Sequence, residues 1–438
     1  MKPNKRSSRL LALALSLVLS LSLSLPALAA GEDGIIYIHT AKDLCALSDS
    51  CAYDAWSRGK TVLLTADISL RGVDFEPIAS FSGTFNGGGH TISGLPLTAS
   101  LSPAGLFLTL ERGAFVHALK VEGQIAPGGT KEFVGGIAGR SCGQILGCTN
   151  EGSVCGRKDV GGIAGRADYA DLTNLHANVD VSIKRTSGNY QSVGGVVGGT
   201  YYSLNVTNCS NSGNVTGWRY CAGIVGNISS GNQPSTITGC VNTGSITAPS
   251  TCAAGIVSNL PNGCKVTACY NTGTIKAGGN YPAGIVGYCA NSEVRSCFNL
   301  GTVTCNTTFT YGSVIGTVSS ADAVIKNLYY LEGTCEKGGI GAVKNAETQT
   351  AAVRTAEEIA NAEFVSTMNA DLAEAAFTSG CTATKHPILL WQADAEHTFA
   401  NTASDVIKSE ATCTEAAVYY VKCDNCDAVS NTLTVKAG

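Results

Sequence analysis

One pattern recurs through the middle of the chain and restricts the folds open to it. A small residue, a glycine, an aliphatic residue, a free position and a second glycine stand together at Gly135–Gly139, Gly161–Gly165, Gly194–Gly198, Ala222–Gly226 and Ala283–Gly287. Ala254–Ser258 ends in Ser, Gly312–Gly316 is a worn copy, and Ala104–Phe107 reads as an early one. Counted on the second residue of each copy, from Gly105 to Ser313, the steps are 31, 26, 33, 28, 32, 29 and 29. A second motif, Cys-X-Asn-X-Gly-X-Val/Ile, alternates with the first and begins at Cys148, Cys209, Cys240, Cys269 and Cys297. The copy near Asn174–Val181 has lost both the Cys and the Gly. From each Cys to the next glycine motif the distance is nearly constant (14, 14, 15, 15, 16), whereas the forward distance from glycine motif to Cys varies from 12 to 17. Insertions therefore collect on one side of each repeat.

A fixed period of 20–50 residues marks a solenoid, a propeller or an array. Short Val/Ile/Thr runs broken by Gly and Asn have strand character, and no helical apolar stripe appears between residues 61 and 335. A propeller blade needs about 40–45 residues, which leaves a stack of coils, each of three short strands and three bends. Parallel pairing at about 4.8 Å between coils gives a parallel β-helix, and the handedness rule for crossover connections predicts the right-handed form. In such a stack the aliphatic residue of the glycine motif points inward. Glycine stands where backbones crowd, the Asn column forms an amide ladder, and the Cys column fills the core as reduced thiols. Bridged Cβ atoms sit about 3.5–4.5 Å apart, closer than neighbouring rungs. Cys45 and Cys51 make a better local pair.

The repeat resembles the GLUG-motif repeat of bacterial surface and secreted proteins, which also occurs in non-catalytic regions of some immunoglobulin-cleaving metalloproteases. The resemblance covers roughly residues 100–335 and implies scaffolding. The stretch Phe81–Leu95, with Gly83-Thr84-Phe85-Asn86-Gly87, is similar to the first coils of pectin-lyase-like β-helices. Near the end, Ala411–Glu415 followed by Tyr419–Cys426 resembles short CxxC modules in surface proteins of Gram-positive gut bacteria.

The expected organisation is therefore a signal peptide (1–29), a β-helix (31–344), a helical C-terminal cap and final strand (345–392), and a small CxxC-containing β module (393–438). The leader has Lys2, Lys5, Arg6 and Arg9, an apolar run from Leu10 to Leu25, and the site Ala27-Leu28-Ala29. Within the β-helix, residues 35–60 form an N-terminal cap with Thr40 as helix N-cap and Leu44, Leu47 and Trp56 over the open end. The GLUG-like repeats span 104–335. In the C-terminal cap, Thr355–Glu358 forms a capping box ahead of Phe364, Val365, Met368, Leu372 and Phe377 at helical spacing.

The composition excludes several functions. The chain carries 29 basic and 33 acidic residues, and charged residues make up only 14%. Net charge is −4, or −8 without the leader's four basic residues. A mildly acidic chain without a basic run predicts no nucleic-acid partner, and no second stretch is apolar enough to span a membrane. There is no His-Glu-X-X-His metalloprotease motif, and the pectin-hydrolase signatures are missing. The expectation is a monomeric, secreted or cell-surface protein of a Gram-positive bacterium, without catalysis or cofactor, either released or part of a longer surface protein. It would bind a glycan or a host surface protein through the variable segments 168–173, 199–205, 227–236 and 259–265. Tyr169, Tyr201 and Tyr202 are candidates to stack on sugars.

The rival readings are a polysaccharide lyase or glycoside hydrolase using Asp168, Asp171 and Asp180, and a structural spacer. Separately, His397, Cys413, Cys423 and Cys426 have the residue types of a Cys₃His zinc site. A disulfide involving Cys413 competes with that assignment.

Overall fold

The computed structural model describes residues 31, 33–52, 56–97, 102–127, 131–183, 191–229, 233–306, 308–380 and 384–393, and the strands 406–409, 418–422 and 429–435. His397, Cys413, Cys423 and Cys426 lie outside them.

The chain winds as a parallel β-solenoid of about nine turns with roughly 29 residues per turn. The coil from 132 to 156 shows the plan. Glu132–Gly135 belongs to a five-stranded sheet, Ala138–Ser141 to a nine-stranded sheet, and Gln144–Leu146 and Thr149–Gly156 to two runs of a 24-stranded sheet. Each coil pairs in parallel with the next, as in Val134↔Val160, Ala138↔Ala164, Ile145↔Leu172 and Asn150↔Ala177. The coil thus holds a fourth short strand beyond the three expected. The reason is that the glycine motif is itself a corner, with its first residue ending one sheet and its fourth starting another.

The residue types follow from that corner. Ile137, Ile163, Val196, Ile224, Ile256, Ile285 and Val314 are all fully buried and stack inside the solenoid. The glycine before each bonds to the coil above, as Gly162 N to Gly195 O at 2.8 Å and Gly223 N to Gly255 O at 3.0 Å. A Cβ on Gly223 would collide with Asn242 Oδ1 and the Gly255 carbonyl oxygen, so only glycine fits.

A second corner separates the two runs of the large sheet. One residue makes it, in left-handed conformation: Ala118 (φ 52°), Gly147 (59°), Asn174 (53°), Asn208 (54°), Gly239 (64°), Ala268 (54°), Ser296 (49°) and Asn327 (55°). Gly and Asn tolerate that region, whereas Ala and Ser are held there by the stacked coils. The next residue is Leu119, Cys148, Leu175, Cys209, Cys240, Cys269, Cys297 or Leu328, and all are buried. The thiols are free. Burial pushes the Cys148 thiol up to about 12 and raises Cys209 and Cys269 as well. Two residues on, Asn211 Nδ2 donates to Asn242 Oδ1, Asn242 Nδ2 to Asn271 Oδ1 and Asn271 Nδ2 to Asn299 Oδ1, each at 2.7 Å. The same nitrogens also reach the carbonyls of Gly213, Gly244 and Gly273 at 2.8 Å.

At the N-terminal end the helix Ala41–Ser50 starts from a Thr40/Asp43 capping box and buries Leu44 and Leu47, with Trp56 packed against the same core. The local bridge expected between Cys45 and Cys51 is not formed. Cys51 follows the helix and is fully buried, whereas Cys45 is half-exposed with its Sγ toward Asp74 O.

The expected Thr355/Glu358 capping box is present and opens the helix Ala356–Ala360, followed by Ala362–Asn369. Phe377 falls in a strand, Phe377–Ser379, antiparallel to Pro387–Leu389. These elements pack on an outward-facing column along the flank. Phe364 meets Phe298 and Tyr329, Tyr270 Oη donates to Gln392 Oε1 at 2.9 Å, and Trp391 Nε1 donates to Gly239 O at 2.9 Å. The Trp391 ring also lies 5.5 Å from His176. The segment is therefore a strap along several coils. The last coil is completed by other residues: Ser313 and Val314 donate to Gly338 and Gly339, and Ala352–Arg354 pairs with Tyr329–Leu331. Val406–Ser409, Val418–Lys422 and Val429–Val435 form a small antiparallel sheet. No helix among the described residues is long and apolar enough to cross a membrane.

Candidate ligand-binding site

The three tyrosines come together at the end of the nine-stranded sheet. Asp168 organises them. Its carboxylate is buried and takes Arg166 Nε at 2.7 Å, Thr200 Oγ1 at 3.1 Å and the Tyr201 backbone N–H at 2.9 Å. It therefore pins the turn 200–202 of the next coil onto its own. Tyr169, in left-handed conformation (φ 56°), stacks on Tyr202 with centroids 4.6 Å apart and planes at 18°. The Arg112 guanidinium lies 4.4 Å from the Tyr169 ring and that of Arg166 3.6 Å from Tyr201. Tyr201 and Tyr202 remain 39% and 45% exposed. Together they form a pre-ordered aromatic platform with arginines behind it.

The acids do not converge into one cluster. Asp168 serves the turn just described, Asp171 accepts from Asn205 Nδ2 at 2.7 Å, and Asp180 accepts from Asn214 N at 2.9 Å and Nδ2 at 3.1 Å. Each bonds to a residue of the next coil, an interaction available to a short acid in a stack. Among the described residues no group of three or more His, Cys, Asp or Glu is placed to hold a metal ion.

Beside the platform lies a hollow of about 400 Å³ at the corner between the five- and nine-stranded sheets. Its floor is Gly199 and Ser192, and Asp159, Tyr201, Asn227 and Asn259 stand around it. Asp159 is only 4% exposed and in left-handed conformation (φ 50°). Burial pushes its carboxyl up to about 6, against the opposing pull of Lys158 and Arg166. In the sequence this residue counts only as one of the sparse acids of the repeats, with no role assigned. The signal was available: Asp159 is the only acid in the repeat column Phe133, Asp159, Ser192, Tyr220, Cys252 and Tyr281. A smaller hollow of about 380 Å³ lies on the other side, lined in part by Arg112, Gln144, Tyr169 and Asp171.

Comparison with known proteins adds little. No family model matches the chain. A segment is 32% identical over 163 residues to Halomucin of Haloquadratum walsbyi, covering 33% of this chain and 2% of that protein. The chain thus spans about a fiftieth of the length of the curated relative it matches. A crystal structure of a protein provisionally described as an immunoglobulin A1 protease, from Bacteroides ovatus, is 16% identical. That likeness covers 83% of this chain and 94% of that one, with a TM-score of 0.41. Neither match places the chain in a family.

Proposed function

We propose that this protein is a non-catalytic bacterial β-solenoid of the secreted or cell-surface, GLUG-repeat type, and that it binds a glycan through Tyr169, Tyr201 and Tyr202. The observation that carries the reading is the platform itself. The turn that carries two exposed tyrosines is held by the buried Asp168, with Tyr202 stacked on Tyr169 and Tyr201 against Arg166, so little side-chain entropy remains to be lost on binding. None of the three rings belongs to the hydrophobic core of the solenoid. An exposed aromatic face beside hydroxyl and carboxamide groups suits the alternating apolar and polar faces of a sugar. The stacked coils supply a rigid base, and their low charge suits an extended polar surface.

The test is a glycan-array screen of the chain, run beside a reducing-end release assay on the same polysaccharides. Binding without release is expected, with Tyr202→Ala weakening it about tenfold, the equivalent of one aromatic contact. Release of sugar ends would overturn the non-catalytic reading and direct attention to the buried acid Asp159. Absence of binding to every glycan would leave the solenoid as a spacer.

A further inference from the structure

The corner between the five- and nine-stranded sheets runs the length of the repeats, and the residues flanking it can be aligned by register. On one side stand Arg140, Arg166, Gly199 and Asn227, paired coil to coil. Asn259 continues the column, its Nδ2 donating to Asn227 Oδ1 at 3.1 Å. On the other side stand Phe133, Asp159, Ser192 and Tyr220, each just before the paired positions Val134, Val160, Val193 and Cys221. In most coils at least one wall carries a large side chain: Arg140 and Arg166 lie 5.4 and 5.5 Å from the Phe133 ring. The pair is smallest at Gly199 and Ser192. That coincidence makes the hollow.

The hollow is a built site. A Cβ added to Gly199 would lie 3.3 Å from Asp159 Oδ1 and 3.4 Å from Ser192 Cβ, so the carboxyl reaches the floor. Tyr201 forms part of the wall, its ring backed by Arg166. Lys158 lines the hollow too, and both nearby cations are ion-paired. Lys158 Nζ lies 3.7 Å from Glu132, and Arg166 is bonded to Asp168. The space is lined by the Asp159 carboxyl, Lys158, two carboxamides, hydroxyls and two tyrosines, Tyr201 and Tyr220. That set offers both donors and acceptors, with Lys158 balanced by Glu132 and Asp159, and the volume lies in the range of small-molecule pockets, about 300–1,000 Å³.

Resting on the glycan-binding reading above, we propose that the hollow at Gly199 seats one uncharged, hydroxyl-rich sugar ring, packed against Tyr201 and hydrogen-bonded by Asp159, Asn227 and Asn259. An anionic sugar is disfavoured, because its carboxylate would face that of Asp159. The platform of Tyr169 and Tyr202 then holds the neighbouring part of the same glycan. Burial holds the Asp159 carboxyl at about 6 against Lys158, Arg166 and Ser192 and with Glu132 nearby, so recognition changes as pH rises through that value.

The experiment uses the full chain with panels of neutral hexose, N-acetylhexosamine and uronic-acid oligosaccharides as probes, titrated at pH 5 and pH 7.5. Gly199→Arg restores the side chain that the column carries at Arg166 and fills the hollow. It should reduce affinity for neutral oligosaccharides by at least about tenfold, with circular dichroism and thermal midpoint unchanged. Asp159→Asn should remove the difference between the two pH values, and it decides the matter if Gly199→Arg fails to fold. Equal affinity of wild type and Gly199→Arg, with Tyr202→Ala impaired, would overturn the subsite and leave the platform reading standing. Preference for uronic-acid oligosaccharides would also overturn it. No binding by the wild type to any probe would overturn both.

Discussion

The coils from Cys209 to Gly316 and those from Gly135 to Thr207 follow one plan but behave differently. In the later set the Cys and Asn columns are unbroken, and Asn211, Asn242, Asn271 and Asn299 form a continuous ladder ending on Ser313 Oγ at 2.9 Å. In the earlier set the coil at 175–181 carries Leu175 for Cys and Ala177 for Asn, and Val179 stands at the glycine position. Asn150 Nδ2 there turns to Gly162 O at 2.6 Å, and the Oδ1 atoms of Asn150 and Asn211, on either side of Ala177, have no hydrogen-bond partner. The earlier set also holds the stacked tyrosines, the buried acids Asp159 and Asp168, and the Gly199 side of the hollow, which Asn227 and Asn259 of the later set complete. Where the repeat is kept, each side chain is committed to its equivalents above and below. Where it is broken, side chains are released for other uses, and local stability is given up.

The strongest way to break this comparison is to place a methyl group at one glycine of the motif and at one outside it. Gly223→Ala should cost about 3 kcal/mol or more, because the new Cβ meets a backbone carbonyl and the Asn242 amide. Gly199→Ala, whose nearest contacts are at 3.3 Å, should change stability by no more than about 1 kcal/mol. Equal denaturant midpoints for the two variants would show that the repeat glycines are not set by coil crowding.

The second contrast is in pH. Burial raises Asp159 to about 6 from its ordinary 3.8. The native state therefore holds a proton that the unfolded chain releases in this window. Stability from this group is fully present below pH 4 and is lost as pH rises through 6, by at most about 3 kcal/mol. Asp159→Asn should match wild type near pH 4 and exceed it by about 2 kcal/mol at pH 7.5, read from urea midpoints at the two pH values. A difference that did not change with pH would place the carboxyl in contact with water.

The smallest expected effect repairs the worn coil. Ala177→Asn adds an amide between the two unpartnered Oδ1 atoms, and its Nδ2 can donate to Asn211 Oδ1. A gain of about 1 kcal/mol is expected in the same measurement. A loss would mean that Val179, packed against Gly162, has already shaped this coil to exclude the amide.

Much of the scaffold was legible in the chain. The Ile/Val of the glycine motif, the Asn column and the Cys column all lie where periodicity puts them. Stacking identical coils forces identical residues to meet, and repetition is visible in sequence. The corner character of the glycine motif was less so. Phe133, Asp159, Tyr220, Cys252 and Tyr281 adopt φ between 50° and 70° without being Gly or Asn, so residue type gives no hint of the bend. The strap was misplaced for a similar reason. Phe364 and Met368 announce an amphipathic helix, but the column it covers (Val241, Tyr270, Phe298 and Tyr329) exists only once the coils are in register. Of the proposed site, Tyr201 and Tyr202 are exposed aromatics in a variable segment, as read from the sequence, whereas Tyr169 is half-buried. Their stacking, their dependence on Asp168, and Asp159 were not legible.

The period of the motifs determined the solenoid, its core columns and its ladder, because each is a contact between equivalent positions one coil apart. Register across the corner decided the site. Gly199 and Ser192 lie on different strands of the same coil, and Asp159 belongs to the coil before. Their meeting depends on the angle at which two sheets join, which no single stretch of chain encodes.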